Sequence, residues 1–197
     1  MKRYECLQKL TPFINESDIV ITNLGMIIPE WEHLNPRKGN FYMWHSLGLS
    51  TSIGFGMALA LPHRRVWVME GDGGMLLNLG SVATIGNFQP SNLKIIIFDN
   101  EIYEAPGGHP TATSRGANLA GIAREAGIEY SKQVSTLEEY EQTLADVLQK
   151  DCLCCIVAKT EPWVEKVPPM VMDAIENKYQ FVRWIEQGEG ITIIPRF

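Results

Sequence analysis

The sequence lacks any apolar run near the roughly 20 residues that a helix needs to cross a bilayer. No apolar signal-peptide core follows the charged start, so we expect no secretory leader. An excess of positive charge is also missing, because 17 Lys and Arg stand against 23 Asp and Glu, for a net charge of −6. Nucleic acid and membranes are therefore not expected partners. These absences predict a cytoplasmic globular protein.

The four cysteines lack the paired Cys-x-x-Cys spacing that zinc and iron–sulfur sites use. Three of them, Cys152, Cys154 and Cys155, lie in an apolar run that is typical of a buried strand. Free cysteine commonly packs in protein cores, so we expect a structural role. The glycines also lack the Gly-x-Gly-x-x-Gly pattern, which leaves a nicotinamide-binding domain as a weak hypothesis.

The most informative stretch runs from Val66 to Tyr103. Two apolar runs, 66–69 and 93–98, flank a segment of helical length, which predicts a parallel strand–helix–strand unit. A polar cluster follows each strand: 70–74 after the first and 99–103 after the second. The carboxyl ends of neighbouring parallel strands meet at one edge of the sheet, where such folds bind ligands. We therefore expect the two clusters to form one site.

The rest of the chain repeats this alternation of strands and helices. The fold class it predicts is α/β, a doubly wound, mostly parallel sheet of roughly five strands flanked by helices. The remaining predicted elements are helices at 3–14, 29–34, 50–61, 117–126 and 136–149, strands at 18–22, 129–134 and 152–157, and loops at 35–40 and 104–116.

The last part of the chain has a different character. A proline-rich connection, 161–169, leads to an amphipathic segment at 171–187 that predicts a helix. An apolar run at 190–195 predicts one more strand. This terminal part would pack either on its own domain or on a partner subunit.

Asp72 and Asn100 provide the chemistry of the predicted site. A carboxylate and an amide oxygen are ligands that suit Mg²⁺, which takes its remaining oxygens from phosphates and water. Gly73 and Gly74 lead into a helix expected to begin near Met75, whose free N–H groups suit a diphosphate. The alternative is a tight turn in which Asp72 caps the helix and no ligand binds.

Gly71-Asp72-Gly73, the 25 residues 74–98 and then Asp99-Asn100 resemble the motif of thiamine diphosphate-dependent enzymes. The resemblance implies that Asp72, the Asn100 side chain and the main-chain carbonyl of Ile102 bind Mg²⁺. It also implies that the cofactor contacts a wider set: Gly71, Gly73, Gly74 and Tyr103.

His45-Ser46-Leu47-Gly48 is similar to the Gly-Ser-Met-Gly segment of the same enzymes. By this resemblance, Leu47 is the apolar wedge that bends the cofactor, and Ser46 belongs to the cofactor-binding segment. The carbonyl of His45 would accept a hydrogen bond from the aminopyrimidine, although the family usually has Gly there. Ordinary core packing is the alternative role for Leu47.

Within these enzymes the chain resembles sulfopyruvate decarboxylase β subunits and phosphonopyruvate decarboxylases. The resemblance rests on 40–43, 46–48, 71–74 and the loop 107–113, and covers most of residues 1–160. It implies a thiamine diphosphate-binding domain at 1–160 and an extension at 161–197. The family tends to have Gln at the position of His109. We take His109 as the candidate catalytic residue. Other candidates for binding an anionic substrate are Thr111, Thr113 and Arg115.

The resemblance covers only the diphosphate-binding domain of a two-domain catalytic unit. The activating Glu of such enzymes belongs to the pyrimidine-binding domain. We therefore expect a separate subunit to supply this Glu, in a hetero-oligomer with homodimeric contacts that acts on a small anionic 2-oxo acid. Two other hypotheses remain open: half of a split carboligase similar to acetolactate synthase, and a non-catalytic cofactor-binding assembly subunit.

Overall fold

A computed structural model describes residues 1–195 as a six-stranded parallel sheet between two layers of helices, with a separate two-stranded hairpin. The strands of the sheet are β1 Ile19–Thr22, β2 Asn40–Tyr42, β3 Val66–Gly71, β4 Leu93–Asp99, β7 Tyr130–Val134 and β8 Cys154–Lys159. The hairpin strands are β5 Ile102–Tyr103 and β6 His109–Pro110. The helices are α1 Arg3–Leu10, α2 Ile27–Leu34, α3 Ser50–Ala60, α4 Asp72–Leu77, α5 Gly80–Phe88, α6 Leu119–Glu125, α7 Leu137–Lys150 and α8 Ala174–Glu189.

The strand order is β2-β1-β3-β4-β8-β7, and every neighbouring pair is parallel. The chain leaves β1 toward one edge of the sheet and, after β2, crosses back to place β3 on the other side of β1. A parallel doubly wound sheet binds ligands where the order reverses in this way, outside the carboxyl ends of the strands. The predicted fold class is confirmed, with six strands in the sheet rather than five.

Alternate residues of each strand enter opposite core layers, as the period of two in a strand requires. Val68 and Ile95 pack with helices α3, α5, α6 and α8 on one face. Met69 and Ile96 pack with α1, α2 and α7 on the other. Because both faces are covered, the strands β1, β3, β4 and β8 are mostly apolar and almost entirely buried. None of the helices among residues 1–195 is long and apolar enough to cross a membrane.

The amino edge of the sheet carries a partly buried ion pair. Asp18, just before β1, accepts two hydrogen bonds from the Arg65 guanidinium, at 2.7 and 3.0 Å. The indole N–H of Trp67 donates to the same carboxylate oxygen at 3.0 Å. This network joins the starts of β1 and β3 at the end of the sheet opposite the polar clusters.

Helix α8 covers β2, which is an edge strand of the sheet. Phe181 and Ile185 are buried in the same core as α3 and α5. The ring of Phe181 lies 5.3 Å from that of Phe41, between centroids. The helix begins at Ala174, capped by Asp173, rather than at the predicted 171.

Three predictions about local structure differ from the structure. The run 190–195 is not a strand: the N–H groups of Ile193 and Ile194 donate to Glu186 of α8 instead. The strand Asn40–Tyr42 begins at the last residue of the loop predicted at 35–40 and was not predicted, because three residues are too few to show a period. The helix predicted near Met75 begins earlier, at Asp72.

Candidate active site

A cavity of about 510 Å³ opens at the carboxyl edge of the sheet, beside the point where the strand order reverses. Most of its lining comes from three chain segments at the carboxyl ends of strands: 23–27 after β1, 70–74 at the end of β3, and 100–106 after β4. Ligand cavities in proteins typically measure roughly 300–1,000 Å³. Most of the predicted site residues line this cavity: Leu47, Gly71, Asp72, Gly73, Gly74, Asn100, Ile102 and Tyr103.

Asp72 begins α4 and is buried at the cavity wall. Its Oδ2 accepts hydrogen bonds from the hydroxyls of Thr111, at 2.6 Å, and Thr113, at 3.1 Å. Burial raises the pKa of Asp72 to about 6; the Thr111 hydroxyl acts against this shift, and the nearby charge of Asp99 adds to it. The two hydroxyls orient one oxygen of the Asp72 carboxylate. Asp72 is the first residue of α4, and the N-cap position belongs to Gly71.

Asp99 lies beside Asp72 and is held by its own partners. Thr113 donates to Asp99 Oδ1 at 2.8 Å, and Lys159 donates to Asp99 Oδ2 at 2.9 Å. Lys159 also donates to Glu101 at 2.5 Å. The Thr113 hydroxyl has one proton, which the two carboxylates share. In this region acidic groups outnumber the basic groups that pair with them.

Asn100 lies in a tight turn between β4 and the hairpin. Its Oδ1 accepts the backbone N–H of Ile102 at 3.1 Å, and its Nδ2 donates to Glu104 Oε1 at 2.6 Å. The intervening residue, Glu101, adopts a left-handed backbone with φ of 67°. The turn brings the Asn100 side chain and Ile102 to the same cavity.

Gly73 and Gly74 pack closely against other parts of the site. A Cβ at Gly73 would meet the ring of Tyr103, and one at Gly74 would meet the Glu70 carboxylate. Glu70 is itself buried, with hydrogen bonds from Ser50 and from the N–H of Gly71. Burial raises the pKa of Glu70 to about 7. This stretch therefore has no space for side chains, and its backbone forms the cavity wall.

The segment 45–48 places only one of its three predicted site residues in the cavity. Leu47 lines the cavity, whereas the side chains of His45 and Ser46 are exposed and lie outside the lining. Gly48 has φ of +87°, and a Cβ there would lie 2.7 Å from the carbonyl oxygen of Gly74. This close approach explains the glycine and fixes the segment against α4.

The predicted substrate residues lie on hairpin strand β6 and in the segment that follows it, and they fall into two groups. His109 and Arg115 are exposed and do not line the cavity. Thr111 and Thr113 are buried, and their hydroxyls form hydrogen bonds with Asp72 and Asp99, respectively. They therefore orient the carboxylates. His109 pairs across the hairpin with Tyr103, which does line the cavity.

Several lining residues were not among the predicted site residues. Asn23, Leu24 and Gly25 follow β1, and their place at a strand's carboxyl end was the signal that could have found them. Arg3 on α1 and Val164 beyond β8 also reach the cavity. Those two lie far from the motifs in sequence, and no local pattern indicates them.

The residues present fit a divalent cation bound together with a diphosphate. Asp72 is a buried carboxylate beside a second acid, Asp99, a combination that a cation would stabilise. The amide oxygen of Asn100 accepts one hydrogen bond and keeps a second lone pair. Among residues 1–195, no group of three His, Cys, Asp or Glu is placed to hold a metal. A Mg²⁺ site usually combines one or two carboxylates with phosphate and water oxygens.

Comparison with known proteins identifies the family. Residues 31–158 match the family described as thiamine pyrophosphate enzyme, C-terminal TPP binding domain. The chain belongs to this family. It is 36% identical over 187 residues to sulfopyruvate decarboxylase subunit beta of Methanocaldococcus jannaschii, covering 95% of this chain and 98% of that one. The predicted family and the predicted class, a subunit of a thiamine diphosphate-dependent decarboxylase, are both confirmed.

Other relatives are much longer than this chain. Phosphonopyruvate decarboxylase of Streptomyces viridochromogenes is 32% identical over 149 residues, covering 76% of this chain and 37% of that protein. The structure of benzoylformate decarboxylase from Polynucleobacter necessarius superimposes with a TM-score of 0.68 and 16% identity, over 86% of this chain and 34% of that one. The latter likeness shows the fold. In both cases the chain spans little more than a third of the longer protein.

Proposed function

We propose that this chain is the diphosphate-binding subunit of a decarboxylase that converts a small anionic 2-oxo acid, sulfopyruvate or a phosphonopyruvate-like compound, to an aldehyde and CO₂. The observation that carries the proposal is the cavity at the switch point of the sheet, with Asp72 and Asn100 on its wall. The nearly full-length similarity to sulfopyruvate decarboxylase subunit beta supports this choice of substrate class.

Each part of the cavity wall has a proposed role toward the cofactor. Asp72, the Asn100 amide oxygen and the carbonyl of Ile102 would hold Mg²⁺, and the bare backbone at Gly73 and Gly74 would accommodate the diphosphate. Leu47 would support the bent cofactor, and the carbonyl of His45 would accept from its aminopyrimidine. When bound, thiamine diphosphate supplies the nucleophilic carbon and takes up the electrons that remain as CO₂ leaves.

The activating Glu would come from a partner chain. The Glu side chains that line the cavity already accept hydrogen bonds within this chain: Glu70 from Ser50, and Glu104 from Arg3. Two glutamates of the first forty residues also have partners, since Glu30 pairs with Arg3 and Glu32 accepts from the Tyr42 hydroxyl. The word subunit in the name of the Methanocaldococcus relative supports an assembly of unlike chains.

His109 remains the candidate catalytic residue. It is exposed on the hairpin, across from Tyr103, so it would act on a substrate held between this chain and its partner. A sulfonate or phosphonate would be recognised by charged or hydrogen-bonding groups of this kind. Arg115, which is also exposed, is a weaker candidate.

The cofactor site is tested with the Asp72→Ala variant in the assembled protein. We expect it to lose Mg²⁺-dependent binding of thiamine diphosphate, measured by titration calorimetry, while Asp146→Ala on α7 binds as the parent does. Normal Mg²⁺-dependent binding by the Asp72 variant would show that the site assignment is wrong.

The reaction is tested by copurifying the chain with its partner subunit and assaying CO₂ release from sulfopyruvate, phosphonopyruvate and pyruvate. Aldehyde is the expected product; a condensation product would instead support a split carboligase. No turnover with any pyrimidine-domain chain would support a non-catalytic assembly subunit. Release of CO₂ by this chain alone would contradict the partner-supplied Glu.

A further inference from the structure

A chain of charged hydrogen bonds connects the first helix to the predicted metal ligand Asn100. The Arg3 guanidinium donates to Glu104 Oε1 at 2.9 Å, and the same oxygen accepts the Asn100 Nδ2 group at 2.6 Å. Arg3, Glu104 and Asn100 all line the cavity, yet none of the motifs discussed above includes Arg3 or Glu104. We name these three residues the amide brace.

The two partners of the Asn100 amide are of opposite type. Glu104 can only accept, so it takes the NH₂ group, and the N–H of Ile102 can only donate, so it takes the oxygen. Reversing the amide would place oxygen against a carboxylate and NH₂ against an N–H. The amide therefore has one favoured orientation, with its oxygen on the side of Ile102.

Arg3 is itself firmly held. It is 7% exposed and forms a two-pronged ion pair with the fully buried Glu30, at 2.8 and 3.2 Å. Glu30 also accepts the backbone N–H of Glu165 at 3.0 Å. An arginine fork paired in this way has a fixed geometry, in contrast to a flexible surface ion pair. Helix α2 and the segment after β8 thus fix the position from which Arg3 reaches Glu104.

We propose that Glu104 is a positioning residue for the metal site, and that Arg3 fixes Glu104 in turn. Glu104 would hold the Asn100 amide so that its oxygen, not its NH₂ group, is presented to Mg²⁺. This inference rests on the proposed function, because it requires Asn100 to be a metal ligand. Partners that orient a metal ligand typically contribute about 10- to 100-fold to metal affinity.

The first test measures Mn²⁺ binding by electron paramagnetic resonance, with thiamine diphosphate present, in the complex with the partner subunit. We expect Glu104→Gln to weaken Mn²⁺ binding about ten-fold or more, since Gln can offer either amide end to Asn100. Arg3→Lys, which keeps the charge but loses the fork, should show a smaller loss. The matched control is Glu141→Gln, which removes an exposed ion pair with Lys9 on the surface.

A second variant pair separates positioning from a merely structural role. Asn100→Asp places a carboxylate against Glu104, so we expect Mn²⁺ binding to fall even though the ligand gains charge. In Asn100→Asp/Glu104→Gln, the Gln NH₂ group can donate to the new carboxylate, and we expect most of the affinity to return. If Glu104 only stabilised the loop, the double variant would bind more weakly than either single variant.

The outcomes distinguish the brace from the proposed function. If the parent binds Mn²⁺ and Asp72→Ala does not, the metal site stands. In that case, either of two results overturns the brace and leaves the proposed function standing. One is that folded Glu104→Gln binds Mn²⁺ as tightly as the parent; the other is that the double variant binds Mn²⁺ more weakly than both single variants. If the parent complex binds no Mn²⁺ with thiamine diphosphate, the proposed function fails and the brace fails with it. Should Glu104→Gln not fold, Arg3→Lys decides the question: weaker Mn²⁺ binding supports the brace, and parent-like binding by folded Arg3→Lys overturns it.

Discussion

The side-chain amide of Asn177 pairs with the backbone of Tyr42 across 135 positions of the sequence. Its Oδ1 accepts the N–H of Tyr42 at 2.9 Å, and its Nδ2 donates to the carbonyl of Asn40 at 3.1 Å. The amide thus bonds to β2 as a neighbouring strand would. An exposed edge strand can pair with other chains, and covering it with a helix prevents this.

Replacing Asn177 by Ala should therefore destabilise the protein. The change removes the hydrogen bonds that the Asn177 amide forms with the N–H of Tyr42 and the carbonyl of Asn40, and both of these backbone groups are buried. We expect a loss of about 1–3 kcal/mol in the free energy of unfolding, measured with urea. Lys178→Ala, on the exposed side of the same helix, is the control and should change little.

The extension proposed at 161–197 can be tested through Phe181. This side chain is buried between Phe41 and Trp184, so Phe181→Ala leaves a cavity between α8 and the domain. We expect a cost of about 3–5 kcal/mol, seen as a lower thermal midpoint. Tyr179→Ala, at a half-exposed position of α8, should stay within about 0.5 kcal/mol of the parent. Equal stability of the two variants would contradict the packing of α8 on the domain.

Removal of the Thr113 hydroxyl should weaken the cofactor site without unfolding the protein. Thr113→Val keeps the shape but takes away the hydrogen bonds to Asp72 and Asp99. We expect roughly 10- to 100-fold weaker binding of Mn²⁺ in the presence of thiamine diphosphate, measured by titration calorimetry. Thr84→Val, on the exposed surface of α5, serves as the control and should bind normally.

The lowered pKa of Glu186 predicts how the stability of the protein changes with pH. The N–H of Ile194, followed by the Arg183 side chain, lowers the pKa of Glu186 from 4.5 to about 2. A lowered carboxyl pKa stabilises the folded state above pH 4.5, and this contribution is lost as the pH falls toward 2. Glu186→Gln should therefore be less stable than the parent at pH 6, and the difference should disappear near pH 2. Urea unfolding across this range measures it; a constant difference would contradict the assignment.

The sequence was sufficient to predict β3, β4 and the closeness of Asp72 to the Asn100 segment. Each strand is a continuous apolar run, and the topology of parallel sheets then places both polar clusters at one edge. Regular patterns of this kind depend only on local periodicity and on the direction of the strands.

The remaining parts of the site depend on contacts between distant segments. Arg3 reaches the cavity only because α1 packs on α2 and meets Glu30, and nothing in the residues around Arg3 indicates this. Thr111 and Thr113 looked like substrate ligands because they lie in a loop, but the fold turns their hydroxyls toward Asp72. The run at 190–195 has the composition of a strand, but its backbone is bonded to Glu186 of α8.

The ion pair of Asp18 and Arg65 lies at the amino edge of the sheet, a full strand length from the cavity at the carboxyl edge. Its contribution to stability is therefore separate in space from the groups that hold the cofactor. Substitutions at sites more than about 7–10 Å apart usually add independently. Directed evolution could strengthen the amino edge first, and then use that gain in stability to tolerate costly changes of specificity around the cavity.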